Sequence, residues 1–313
     1  MDDDTLSQDT HSRAPSRAVS QIAQYAGTAR AIANAHAREL LGWMWQWRVI
    51  DHHIVRRLLR VSRSSGYRIL ARLRRHGLIQ PVVVSGTPAS PWMLTPAGVN
   101  AISPYLDPDD LYLAPVTAPD RIRGGQVQHD LLAQHFALRI ARNPPPKITS
   151  IIDAARAAAA ENAYYSLPDP MIAIRSAAWL EAVGTKLGGK YSDAFVTTII
   201  DATADVSVRV AIECQQTPEA LSTVQRIMSG YCSALAEHAM DMLVYCGTRP
   251  NILPLYPAAL SPGLQPWHKT ASRRWVPDTG PSPSPYQEWM ASRILTLASP
   301  ELESWYYHLV LGR

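Results

Sequence analysis

The chain has 313 residues, is 47% apolar, and carries 30 basic against 26 acidic residues with three cysteines. That suits one large or two ordinary domains with a real core. It excludes a membrane-spanning chain, since no apolar run approaches the length of a span. It also argues against a secreted, disulfide-framed one. The Met1-Asp2-Asp3-Asp4 start lacks a basic and then apolar leader. Cys214, Cys232 and Cys246 are odd in number, lack metal-ligand spacing and read as buried thiols of a cytoplasmic protein.

Residues 1–34 are polar and poor in large apolar groups, and a disordered tail is expected there. Leu40 to Val49 suits a first core helix. Trp43, Trp45 and Trp47, at spacing two, cannot share its face, so one must pack elsewhere. Asp51 can cap a second helix whose Ile54, Val55, Leu58 and Leu59 lie on one side. After a short turn, Ser62 or Ser64 caps a third helix, and Gly77 ends it in the left-handed region. Val82-Val83-Val84 reads as a strand, Gly86 to Pro91 as a turn, and Trp92-Met93-Leu94 as the return strand. Thr95-Pro96 starts a further helix. The order is that of a winged helix-turn-helix over 35–103.

The third helix carries the chemistry. Between Arg38 and His76 there are ten arginines and two acids, a net of +8 in a chain of +4. Such a layout favours a polyanion on one lobe. At 100° per residue, Arg72, Arg75 and Ser64 fall within about 40° of Arg68, and Ser65 at about 60°. Ile69, Leu70 and Leu73 point the other way. Short hydroxyls near a helix N-terminus meet base edges in a major groove, and arginines take phosphate or guanine. The candidate DNA-binding residues are therefore Arg63, Ser64, Ser65, Arg68, Arg72 and Arg75, and the expected partner is double-stranded DNA.

Residues 104–125 begin rich in proline and aspartate and read as a linker. A helix over 126–142 ends at Pro144-Pro145-Pro146, and an alanine-rich helix follows over 153–163. Residues 191–200 and 207–215 are β-rich runs around an Asp201–Asp205 turn. A helix over 218–238 and a strand over 242–246 follow, so 126–248 forms a second domain. Residues 249–313 form a proline-rich extension with a last helix over 285–298. The class is α+β. His129 has no second histidine or cysteine at ligand spacing and reads as a packed or capping residue.

Asp193 starts the first of these strands and Glu213 ends the second. Across an antiparallel pair they can converge on one divalent cation, and Mg²⁺ would suit two carboxylates plus waters. The alternative is a pair of ordinary strand-end acids. Strand-strand-helix-strand with Asp193 and Glu213-Cys214-Gln215 resembles the PD-(D/E)xK nuclease core, a small restriction-endonuclease-like α/β domain. In that family a lysine activates the attacking water, and Gln215 stands in its place here. Glutamine accepts no proton near neutral pH. The resemblance thus implies a degenerate site of Asp193, Glu213 and Gln215. No cofactor is expected, with Mg²⁺ required only if the site were active.

Taken in order, five motifs resemble the replication-relaxation family of mobile elements. They are Ser62 to Ile79, Gln128 to Leu132, Ser192-Asp193-Ala194, Ala211 to Pro218, and Ser229-Gly230-Tyr231 before Leu243-Val244-Tyr245. The resemblance implies a DNA-binding accessory protein of plasmid replication, relaxation or conjugative mobilisation, with a relaxase or another mobilisation protein as partner. The competing readings are a winged-helix transcriptional regulator, whose second domain dimerises or senses a ligand, and a Mg²⁺-dependent endonuclease.

Overall fold

A computed structural model of the chain describes residues 35–83, 91–119, 124–163, 166–187, 191–215, 219–250, 253, 267–270, 275–277 and 288–299. The expected tail, the tip of the first hairpin and most of the proline-rich extension lie outside these residues.

The tryptophans of helix α1 (35–46) and of the residue that follows it take three different partners. The Trp45 indole donates to the Asp110 carbonyl (2.7 Å), and that of Trp43 to Gln134 Oε1 (2.7 Å). Trp47 is buried and stacks on Trp43 with ring centroids 5.7 Å apart. Asp51 caps α2 (His52–Leu59) by accepting the Ile54 amide (2.8 Å). Arg60, in the left-handed region, ends it. Ser62 caps α3 (Arg63–Arg75), accepting the Ser65 amide (3.2 Å). Gly77 has φ +69°, and the amides of Gly77 and Leu78 return to the Arg74 and Leu73 carbonyls. That pattern closes a helix in a Schellman motif. Gly66 lets α3 approach α2; a Cβ there would lie 3.3 Å from Arg56 Cγ.

The hairpin begins earlier than the valine run suggested. Strand β1 is Ile79–Pro81 and pairs antiparallel with β2 (Trp92–Leu94), Ile79 opposite Leu94. Leaving α3 through Gly77 aims Ile79 into the core, where it is buried, while Val83 is 89% exposed. Burial of Ile79, not local β propensity, sets the register. Helix α4 (Pro96–Ile102) follows, with Thr95 Oγ1 accepting the Gly98 amide. The stretch read as a linker is packed. It forms short 3₁₀ turns at Ser103–Tyr105 and Pro108–Tyr112, and it buries Asp110 and Leu113. Arg175 donates to the Asp110 carboxylate (3.0 Å).

The second half is built on a five-stranded mixed sheet in the order β3-β4-β5-β6-β9. Its strands are β3 (Met171–Ser176), β4 (Ala194–Asp201), β5 (Val206–Cys214), β6 (Met242–Gly247) and β9 (Ile294–Ala298). The first three pair antiparallel and the last three parallel. One face packs on α5 (Gly124–Arg142) and α6 (Pro146–Asn162) through Val196, Val210, Ile212 and Val244. The other packs on α8 (Leu221–Ala236) through Phe195, Ala211, Leu243 and Tyr245. A short α7 (Ala177–Ala182) follows β3, and a separate hairpin pairs β7 (Trp267–Lys269) with β8 (Trp275–Pro277). The result is an α+β fold.

Two expectations are corrected here. The last helix was expected over 285–298; among the described residues only Glu288–Arg293 (α9) is helical, and Ile294–Ala298 is a strand. Pairing with β6 engages one side of the backbone of those five residues, and Ile294 is buried. The sheet is therefore completed from the segment read as an extension. Strand β3 was not foreseen either.

Helix α5 belongs to two cores. Val127, Leu131 and Leu138 pack with α1, α2 and α3, while Leu132, Phe136, Ala137 and Ile140 pack on the sheet. Gln134 binds across as well, donating to the Val49 carbonyl (2.8 Å).

Candidate nucleic-acid interface

Helix α3 buries Gly66, Leu70 and Leu73 and turns its other side outward. Arg63, Ser64, Arg68, Arg72 and Arg75 are exposed, and Ser65 is half-buried. The hydroxyls form a small network at the helix start. Ser62 Oγ lies 3.1 Å from Ser64 Oγ and donates to Ser65 Oγ (3.0 Å). Arg68 Nη2 donates to Ser65 Oγ (2.9 Å), which holds that guanidinium toward the N-terminal turn. Ser62, not Ser64, takes the cap, so Ser64 is on the outer face with the arginines. Arg74 is different: it packs over the Trp92 ring at 5.8 Å, against the hairpin. Among the ion pairs of described residues, none involves Arg63, Arg68, Arg72 or Arg75.

One residue of this face was not singled out in the sequence. Tyr67 is 44% exposed and stacks on His52 (centroids 5.1 Å, 17°), with the Arg63 guanidinium 5.8 Å from its ring centre. Its place one residue before Arg68 was the available signal. Burial, then the neighbouring charges of His53, Arg63 and Arg56, lowers the His52 pKa.

The second expected site is at the start of β4 and the end of β5. Asp193 donates its backbone amide to the Ile212 carbonyl (3.0 Å), and its carboxylate accepts the Cys214 amide (2.7 Å). Glu213 is buried and accepts the Tyr231 hydroxyl of α8. Burial, with Tyr245 and Asp193 nearby, raises that phenol well above its ordinary value. His129 joins the group: its Nε2 lies 3.4 Å from Asp193 Oδ2 and 3.2 Å from the Cys214 carbonyl. These residues are 64 and 85 positions from His129, so spacing could not reveal them. Asp130 is beside it, 3.8 Å from Arg48, and burial pushes its carboxyl up to about 6. Gln215 is buried, its backbone N–H donating to the Cys246 carbonyl (2.7 Å). Lys186 packs its ammonium over Tyr191 at 5.2 Å, and Lys190 lies outside the described residues.

Asp193 and Glu213 thus come to one end of the sheet, as the strand pattern implied. The groups described against them include an amide N–H, a phenol O–H and an imidazole, all of them hydrogen-bonding partners. Among the described residues, no group of three or more His, Cys, Asp and Glu is placed to share a metal ion. No helix among the described residues is long and apolar enough to cross a membrane.

Comparison with family models, curated proteins and solved structures gave no significant match.

Proposed function

We propose that the chain binds double-stranded DNA through a winged helix-turn-helix formed by α1 to α4 with the β1–β2 hairpin. In this reading α3 is the recognition helix. The sheet domain is a restriction-endonuclease-like fold that does not cut. By the motif resemblance, the protein is an accessory factor in replication, relaxation or mobilisation of a mobile element, acting with a relaxase or similar partner.

The observation that carries this is the outer face of α3. Ser64, Arg68, Arg72 and Arg75 are exposed together on a helix whose opposite side is buried, with both ends capped. A rigid helix with hydroxyls at its start and guanidiniums along its length can enter a major groove. The reading of the second domain as inactive is supported by Gln215 in place of a lysine, and by the donors that engage Asp193 and Glu213.

The test is duplex binding by fluorescence anisotropy across a salt series. Affinity of the wild type should fall steeply with salt as condensed counterions are released. Replacing Arg68, Arg72 and Arg75 together with alanine should abolish binding while the melting temperature holds. Asp193→Ala should leave binding nearly unchanged, and neither protein should nick supercoiled DNA with Mg²⁺ or Mn²⁺. Retention of tight binding by the triple variant would remove α3 from its role. Metal-dependent nicking lost in Asp193→Ala would instead make the protein a nuclease.

A further inference from the structure

One aromatic ring stands among the arginines of α3. Tyr67 is exposed, on a helix that buries Gly66, Leu70 and Leu73 on its other side. The ring is held in place from two directions. It stacks nearly parallel on His52, in the first turn of α2, and the Arg63 guanidinium lies over it. His52 is itself packed, its ring centre 3.9 Å from that of His53. Burial first, then His53 beside it, holds His52 below its ordinary value of 6.5, so near neutral pH it is an uncharged ring. These contacts engage the face of the Tyr67 ring. Its rim and hydroxyl remain as the parts that a ligand can reach, and a phenol hydroxyl both donates and accepts.

The winding of α3 sets which part of a duplex Tyr67 would meet. At 100° per residue, Ser64, Arg72 and Arg75 lie within about 40° of the line through Arg68. Tyr67 stands about 100° to one side of that line, and Arg63 about 140° to the same side, one turn earlier. A helix laid in a major groove presents its central line to the base edges and its flanks to the sugar–phosphate walls. Tyr67 and Arg63 therefore face one wall, on the side of α2. A phosphate oxygen accepts from a phenol hydroxyl as well as from a guanidinium, and a ring that is already immobilised loses little freedom on contact.

We propose that Tyr67 and Arg63 together grip one strand of the sugar–phosphate backbone beside α3, Tyr67 donating its hydroxyl to a phosphate oxygen, and that His52 is a positioning residue that holds the ring for this contact. The grip rests on α3 as the recognition helix.

The test measures anisotropy with two duplexes of equal length and unrelated sequence. It compares wild type with Tyr67→Phe, Arg63→Gln, His52→Ala, His52→Phe and the double variant His52→Ala/Tyr67→Phe, each first checked for unchanged melting. Tyr67→Phe removes one oxygen and keeps the ring. It should weaken binding of both duplexes alike, by about tenfold, as loss of a hydrogen bond to a charged acceptor implies. The slope of log affinity against log salt should not change, because the lost donor carries no charge. Arg63→Gln should instead reduce that slope by about 1. His52→Ala should weaken binding nearly as much as Tyr67→Phe, His52→Phe should restore it, and the double variant should be little worse than either single one. A merely structural histidine would give neither the rescue nor the non-additivity. Unchanged affinity in Tyr67→Phe, while the Arg68, Arg72 and Arg75 triple variant still loses binding, overturns the phosphate contact and leaves the α3 reading standing. A loss confined to one duplex makes Tyr67 a reader of bases and overturns it as well. Additive losses in the double variant, or no rescue by phenylalanine, remove His52 from its role. If wild type binds neither duplex, the α3 reading itself fails and the grip falls with it.

Discussion

His135 and Asp130, five residues apart on α5, carry opposite liabilities toward acid. His135 titrates near its ordinary 6.5 when unfolded and near 3 when folded. Between those values the unfolded chain binds more protons, so this group makes stability fall as pH drops from 6.5 toward 3. Asp130 is raised from its ordinary 3.8 to about 6, so the folded chain binds more protons between them. That group makes stability rise as pH drops from about 6 to 4. Replacing His135 with glutamine removes a titrating group while keeping an acceptor for Arg57. The melting temperature of this variant should fall less than that of wild type between pH 7 and pH 4.5. An identical acid response in both proteins would assign the loss to other groups. Residues whose partners are three positions away were legible beforehand: Asp51 and Thr95 cap as their spacing implied, and Ser62 is the one of the two serines, Ser62 and Ser64, that caps α3. His129 beside Asp193, and Tyr231 on Glu213, were not, because only the folded sheet brings those pairs together.

How α4 seats on the end of α3 depends on one missing side chain. A Cβ at Gly98 would lie 2.0 Å from the Leu78 carbonyl oxygen, an atom that already accepts the Thr95 amide (3.1 Å). Neither partner can yield without opening the hairpin, since Leu78 leads directly into β1. Gly98→Ala should therefore destabilise by about 2–3 kcal/mol, in the range of overpacked cores, as read from the urea midpoint. A midpoint within error of wild type would mean that α4 shifts freely on the hairpin. Helices α2, α3 and α4 were legible because each has a start signal and buries apolar residues at helical spacing, whereas the short α7 was not. The strands at the sheet edges were not. Met171 and Ile172 of β3 are exposed, so that strand shows no alternation of buried and open positions. Ile294–Ala298 follows helical residues without a break, and only pairing with β6 makes it extended.

Taken as a body, the molecule depends on a segment remote in sequence from the rest of its sheet. Strand β9 covers β6, whose Leu243, Val244, Tyr245 and Cys246 are fully buried, and α9 places Met290 in the core under α8. A chain ended at residue 287 would lose the burial of Met290 and Ile294, roughly 3–6 kcal/mol for two such side chains. It would also expose the β6 edge, an invitation to intermolecular pairing. Size-exclusion chromatography should find the shortened chain aggregated, or melting well below the full chain. A monomer with unchanged melting would show that β9 is peripheral. The division into an N-terminal DNA-binding unit and a separate second domain was the coarsest inference from sequence, and α5 complicates it most. A polar boundary is visible in composition, whereas the apolar residues of α5 are divided between two cores and its pattern announces neither.

That shared helix has a directional consequence. With Leu131 and Leu132 packed into different cores, a twist of the α1–α4 unit about α5 would tear one set of contacts or the other. The two halves therefore have no swivel between them. If α3 is seated in a groove, the compass bearing of the sheet around the duplex is set at the same moment. Any protein that grips the sheet would then meet the DNA from one fixed side, and moving the binding site by half a helical turn would carry that protein to the opposite face.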